Sequence, residues 1–450
     1  MTRAHGEQVR RLGLGSGIAI VVATMIGSGI FTTTGLVGPS LVSNTNVLIV
    51  WVICALLALC GALSLGELAA SMPRAGGAYT FASRGFGPLV GCFVGIEGLI
   101  IGYPAGLAII SLVMGRYLND VLPWCPPGLS AGCVIIFITA INCRGAALGA
   151  LANNLGALLK VFILIAFIVG GMLVVAPAME DAAPTVAPAT EAPGLFSGIF
   201  AMAVIKVWFA FTGWGTIAVV AGEFKRPSWN IPMSIIIAII AVTAIYLLMN
   251  VVFLRAGAPT EMVDAEGNPT STIGYFAAER LFAPWVANSL GLIIVVVLIS
   301  TILSAVLTGG RWAYAMAVQG QFPRVFGQLN ERGAPIAALM LQCAITLVFI
   351  SIFTITQLLL ITGILGLLAM SIAIGAIFVL RIREPNADRP FKTPLYPLPP
   401  IIFILLSCWL AWRTVQADWK VMLVSGLIVL IIAIFSVFVI RRTQPSNPID

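Results

Sequence analysis

Thr24-Met25-Ile26-Gly27-Ser28-Gly29-Ile30-Phe31 interrupts the first apolar run of this chain. Glycine in a helix interior costs about 0.8–1 kcal/mol relative to alanine. Two glycines around a serine therefore mark a place where a helix is expected to open. In hydrocarbon, a backbone group freed by such an opening must find a partner inside the protein or in a water-filled cavity. A polar ligand can be that partner, so a glycine-interrupted helix at membrane depth is a candidate binding site.

Composition places the run in a membrane. The 450 residues are 60% hydrophobic and 9% charged, with a mean hydropathy of +1.07. A soluble protein carries about three times that charge fraction. The basic residues are scattered over loops, which argues against nucleic acid as a partner despite the net charge of +7. The polar start of the chain and the long apolar run behind it do not read as a cleavable signal peptide. The eight cysteines form no CxxC pair, so neither a zinc site nor a redox motif is read, and no cofactor is expected. His5, the one histidine, belongs to the N-terminal tail.

Crossing a bilayer takes about 20 apolar residues. Twelve spans satisfy this: 14–36, 46–71, 88–117, 129–147, 153–176, 197–222, 231–254, 285–317, 335–353, 357–381, 398–415 and 420–440. With a cytoplasmic N-terminus, Arg116, Arg255, Arg280, Arg413 and Lys420 fall outside, Lys160 and Lys206 fall within spans, and the other seventeen of the 24 lysines and arginines fall inside. That asymmetry supports twelve spans in the cytoplasmic membrane with both termini cytoplasmic.

Span 6 carries a second interruption, Phe211-Thr212-Gly213-Trp214-Gly215. It lies five spans after the first, so spans 1–5 and 6–10 form units of opposite orientation. Paired glycine breaks in matching positions of two halves point to a transporter's midplane site; the other reading is close packing at the span 6 glycines. The expected organisation is a tail over 1–13, a first repeat over 14–176, an outer loop over 177–196 and a second repeat over 197–381. An inner loop with spans 11 and 12 follows over 382–440, then a tail over 441–450. The fold class is an all-α polytopic membrane protein.

The two breaks suggest a ligand. The half-helix beginning near Gly29 has free N–H groups and a positive dipole end, so Ser28, Gly29 and Ile30 suit a carboxylate. The half-helix ending near Met25 and Ile26 leaves carbonyl oxygens that suit an ammonium, and carbonyls of Phe209 and Ala210 can add to them. A carboxylate and an ammonium one carbon apart describe an α-amino acid bound across Gly27 and Thr212.

The stretch Thr24–Phe31 resembles the first-span motif of the amino acid–polyamine–organocation (APC) superfamily. So do Gly66-Glu67-Leu68 with Pro73-Arg74-Ala75-Gly76-Gly77-Ala78-Tyr79, and then Phe86-Gly87-Pro88. Phe209-Ala210-Phe211-Thr212-Gly213-Trp214 followed by Glu223 is similar, as is Gly310-Arg311-Trp312-Ala313-Tyr314 with Gly320, Phe322 and Pro323. The resemblance implies a five-plus-five inverted repeat with two trailing helices, and leans toward the L-type and bacterial neutral amino acid branch. It implies an aromatic gate at Phe209 and a pocket wall at Trp214. Gly215 stands where many relatives carry Asp, Glu or Asn, which leaves space at the pocket edge.

Lys160 is a charge inside span 5, and an intramembrane lysine is a functional-site hypothesis by default. The resemblance implies that it replaces a sodium ion, bonding a carbonyl near Ala23 and a span 8 hydroxyl such as Thr301 or Ser304. Snorkelling toward the cytoplasm is the alternative. Glu97 in span 3 lies at similar depth. Either Glu97 or Lys160 is expected to exchange protons during transport, or the two to pair; the other reading is a Glu97 that is simply protonated and bonded locally. Lys206 lies in the outer half of span 6. Glu67, Arg74 and Arg311 near the cytoplasmic ends suggest an inner ion network, while Gly91, Gly95, Gly98, Gly102 and Gly106 suggest close packing of span 3.

The expected function is sodium-independent secondary transport of neutral L-amino acids, by proton symport or by exchange. Cationic amino acids or polyamines are the alternative substrates, against which stands the lack of an acidic side chain in the span 6 break. An enzyme is not expected, for want of convergent catalytic groups, and a channel would need a continuous polar stripe. Some relatives use a disulfide-linked heavy subunit, and Cys125 lies near that linkage; the short tails point instead to a chain that works without one.

Overall fold

The computed structural model describes residues 12–72, 77–145, 147–174 and 191–443. His5, Arg74 and most of the expected 177–196 loop lie outside them. Among the described residues the chain is helical, with two isolated β-bridges, Leu12 with Phe224 and Val263 with Pro269. Among the described residues, eight helices are long and apolar enough to cross a membrane. They become nine when α1 (Leu14–Met25) and α2 (Gly29–Leu41), bent by 42° at the Gly-Ser-Gly, count as one. Pro127–Cys143, Leu159–Leu173 and Ile336–Ile352 are apolar but shorter; each overlaps one of the spans read from the sequence.

The long helices are α3 (Asn44–Ser71), α10 (Pro227–Ala256), α12 (Pro284–Val318) and α14 (Ile355–Arg383). Span 3 is not one regular helix: α5 (Pro88–Glu97) passes through a π-turn at Gly98–Gly102 into α6 (Tyr103–Val121). Span 6 begins as α9 (Gly198–Trp208) and then tightens to 3₁₀ turns at Phe209–Phe211 and Trp214–Glu223. α3 and α1 both pack on α10, and α6 packs on α12. Tyr246 meets Trp51 and Phe211 edge to face, and Trp51 and Phe211 pack tilted, with ring centroids 5.2–5.7 Å apart, which fixes the second break against α3 and α10.

The end of the bundle that holds Leu12, Arg381 and Thr443 is termed proximal. Glu67 there is 1% exposed and accepts two bonds from Arg381, Nε to Oε1 at 2.8 Å and Nη2 to Oε2 at 2.7 Å. The Thr393 N–H adds a third at 2.7 Å, and Arg389 stands 3.7 Å away. This corrects the expected network: Glu67 pairs with Arg381 and Arg389, and Arg311 is exposed. The end of α14 lies beside α3 and the segment after it folds back over α3, which brings partners more than 300 residues apart together. Removing one partner of a buried pair strands the other. Glu67→Gln is therefore expected to destabilise the purified protein by about 2–3 kcal/mol, read as a lower melting temperature in detergent.

The distal end is closed over α2, whose residues from Gly29 to Gly38 are buried. Tyr117 of α6 donates to Phe31 O at 2.7 Å and accepts from the Gly274 N–H at 3.0 Å. It thereby joins α6, α2 and α11 (Ile273–Leu281).

Candidate functional site

The two breaks touch. α1 ends because Ile26 turns to an extended conformation, with φ −75° and ψ 94°. Phe31 N–H returns to Ser28 O at 3.1 Å, whereas the N–H groups of Ser28, Gly29 and Ile30 form no cap or loop bond among the described residues. Ser28 Oγ is buried and likewise unpartnered among them. In the second break, Thr212 is extended and Gly213 takes φ +107°, a left-handed value that favours glycine. Thr24 Oγ1 lies 3.2 Å from Gly213 O.

Tyr246 of α10 ties the breaks together. Its hydroxyl lies 2.9 Å from Met25 O and 3.1 Å from Ala210 O, so one donor serves the carbonyls of both interrupted helices. The sequence reading missed it. The available signal was a phenol in an otherwise aliphatic span, since a buried tyrosine hydroxyl usually finds a partner. Met25 O keeps a lone pair for a ligand, and Ala210 O has one too but does not border the cavity. Phe209 O does not: it accepts both the Thr212 N–H at 3.2 Å and the Thr212 hydroxyl at 2.7 Å. The expectation that the Phe209 carbonyl meets an ammonium is corrected on that ground.

A cavity of about 360 Å³ lies beside the breaks. Met25, Gly27, Ser28 and Gly29 line it from the first break; Phe209, Thr212, Trp214 and Gly215 line it from the second. Ala23, Lys160, Glu97, Thr301 and Ser304 line it as well. Ile26, Ile30 and Ala210 do not; their side chains are buried in the core. The cavity reaches Leu65, Gly77 and Ala78 toward the proximal end. Gly102 and Gly106, expected to pack closely, face it with open space where a Cβ would stand, whereas Gly91, Gly95 and Gly98 are indeed in close contact with neighbours.

Lys160 lies on α8 (Ala147–Leu173) and is 2% exposed, so it does not snorkel to the surface. Nζ donates to Ala23 O at 3.4 Å, an oxygen in the last turn of α1 that a continuous helix would have occupied. The expected bond to span 8 is not made among the described residues. Thr301 donates instead to Val297 O of its own helix at 2.9 Å, the usual local alternative for a helical threonine. Glu97 and Lys160 form no ion pair within 4 Å, and Glu97 Oε1 has no hydrogen-bond partner among the described residues. Lys206 is half-buried on α9 and does not line the cavity.

Comparison with known proteins agrees with this architecture. The amino acid permease family model matches residues 12–440. The b(0,+)-type amino acid transporter 1 of Mus musculus is 28% identical over 438 residues, covering 93% of this chain and 87% of the relative. The large neutral amino acids transporter small subunit 2 of Homo sapiens is 27% identical over 442 residues, covering 93% and 77%. The serine/threonine exchanger SteT of Bacillus subtilis (strain 168) is 27% identical over 415 residues, covering 91% and 92%. All are named as carriers, not enzymes. A relative named as a small subunit is one chain of an assembly, and this overturns the expectation that the present chain has no use for a heavy subunit.

Proposed function

We propose, from the premise that this chain belongs to the amino acid permease family and is a multi-pass membrane transporter of amino acids, that its substrates are L-amino acids held by their α-groups at the two breaks. The observation that carries this is the meeting of two interrupted helices at one cavity, where the N–H groups of Ser28 and Gly29, unbonded among the described residues, lie beside the Met25 carbonyl. The carboxylate takes the N–H groups and the positive end of α2. The ammonium takes the spare lone pair of the Met25 carbonyl, which Tyr246 leaves open toward the cavity. A neutral side chain then meets the apolar wall of Phe209 and Trp214 and the space beside Gly215.

Twelve spans with both termini cytoplasmic, arranged as two inverted five-span repeats and a trailing pair, fit this reading. The three shorter apolar helices count as spans, and the proximal end is the cytoplasmic one, where basic residues concentrate. Phe209 acts as the gate. The sealed distal end and the cavity's extension toward the proximal end give one of the two states of alternating access. Lys160 supplies the fixed positive charge at the end of α1, which removes the need for sodium. Exchange has support from the bacterial relative named as an exchanger; proton symport is separated from it by experiment.

Uptake of labelled L-amino acids into proteoliposomes tests the reading, with internal amino acid and pH gradient varied separately. Uptake of at least one neutral amino acid in sodium-free buffer is expected. Failure to move any amino acid overturns it.

A further inference from the structure

Glu97 ends α5, where the π-turn at Gly98–Gly102 begins. It is 7% exposed, and its Oε1 finds no donor among the described residues. An ionised carboxylate in such a place is costly unless a cation meets it. Among the described residues the protein does not supply one. On one side Glu97 borders a second cavity between α5, α14, α15 (Leu398–Ala417) and α16 (Trp419–Thr443), whose described walls are apolar apart from Ser371 and Cys408. On the other side it lines the central cavity. The basic side chain there, Lys160, is bonded to Ala23 O and forms no ion pair with Glu97.

Aromatic rings line the same cavity as this carboxyl. Trp312 donates its indole N–H to Gly95 O at 3.1 Å and lies against Gly98, the residue next to Glu97. Tyr103 packs on Trp312 with ring centroids 5.6 Å apart, and both line the same cavity. A ring face adds attraction for a cation. Gly102 and Gly106 leave room along the same wall, and a π-turn inside an α-helix is frequently placed at a functional site.

We propose that Glu97 is a cation subsite of the central cavity and recognises the side-chain ammonium of a basic amino acid such as lysine or ornithine. This rests on the reading that the α-groups bind at the breaks, and extends the substrate range from neutral to basic side chains. The acidic group missing from the span 6 break is supplied from span 3.

The test compares unlabelled lysine with norleucine, which has the same carbon chain and no ε-ammonium, as inhibitors of labelled neutral amino acid uptake in proteoliposomes. Both are expected to inhibit the wild type. In Glu97→Gln the ratio of their inhibition constants should shift against lysine by about tenfold or more; the ratio cancels any general loss of rate. Inhibition of the wild type by norleucine but not by lysine overturns the inference and leaves the transport reading standing, as does an unshifted ratio in Glu97→Gln. Absence of any amino acid uptake overturns both. Should Glu97→Gln give no uptake, the melting temperature of the purified wild type decides: lysine must raise it more than norleucine does, and equal effects overturn the subsite.

Discussion

Replacing Lys160 with alanine is expected to cut amino acid uptake by about tenfold to a hundredfold, with the folded protein still recovered in detergent. The side chain is buried, and its ammonium meets an oxygen of the last turn of α1 at 3.4 Å. Ala23 O is free to accept because the helix stops at Met25. A positive charge at a helix C-terminus is stabilised by the dipole as well as by the bond. Three elements converge here: α8 carries the lysine, α1 the acceptor, and α12 the wall at Thr301 and Ser304. Alanine removes the only charge joining α8 to the break, so the half-helix is no longer held where its carbonyls face a ligand.

A hydrogen bond to a charged group contributes about 1.5–3 kcal/mol, which sets the fold-change given. The measurement is initial uptake in proteoliposomes at matched protein density, with sodium and with choline in its place. Wild-type uptake is expected to be indifferent to that exchange of cations. Unaltered uptake by Lys160→Ala would show that the lysine only packs.

The parts of this site visible in the sequence are those marked by residue type at one place in the chain. Gly27-Ser28-Gly29 announced the first break and Gly213 the second, because glycine disfavours helix wherever it stands. A lysine amid aliphatic residues announced Lys160 for a similar reason. What stayed hidden depends on meetings between distant segments. Glu67 finds Arg381 because α14 ends beside α3, and Arg389 because the segment after α14 folds back, and no spacing records that. Tyr246 is unremarkable within its span until the two carbonyls it serves are brought together. The π-turn after Glu97 was also invisible, since an apolar span buried on most sides shows no period that an added residue could disturb. The same limit explains Gly102 and Gly106: spacing implied packing for all five glycines of span 3, but the turn rotates these two toward the cavity.

Within the Gly-Ser-Gly itself, the structure separates two residues that look equivalent. Gly29→Ala is expected to abolish uptake and lower the melting temperature, whereas Gly27→Ala is expected to leave the melting temperature of the ligand-free protein unchanged. A Cβ on Gly29 would stand 2.5 Å from Ala210 Cα and 2.6 Å from Ala210 Cβ. Normal carbon contacts begin near 3.5 Å, so α2 would have to move about 1 Å away from the second break. The obstacle is backbone, already held by the bond from Tyr246 to Ala210 O, and cannot swing aside as a side chain could. Overpacking costs about 1–3 kcal/mol in ordinary cores, and this contact belongs at the upper end of that range, near a hundredfold in an equilibrium. A Cβ on Gly27 meets nothing within 4 Å. The first glycine is therefore needed for room or for unwinding, and the second for the approach of the two helices. Equal melting temperatures for the two variants would show that the breaks need not touch, and with that the shared clamp on an amino acid's α-groups would lose its geometric basis.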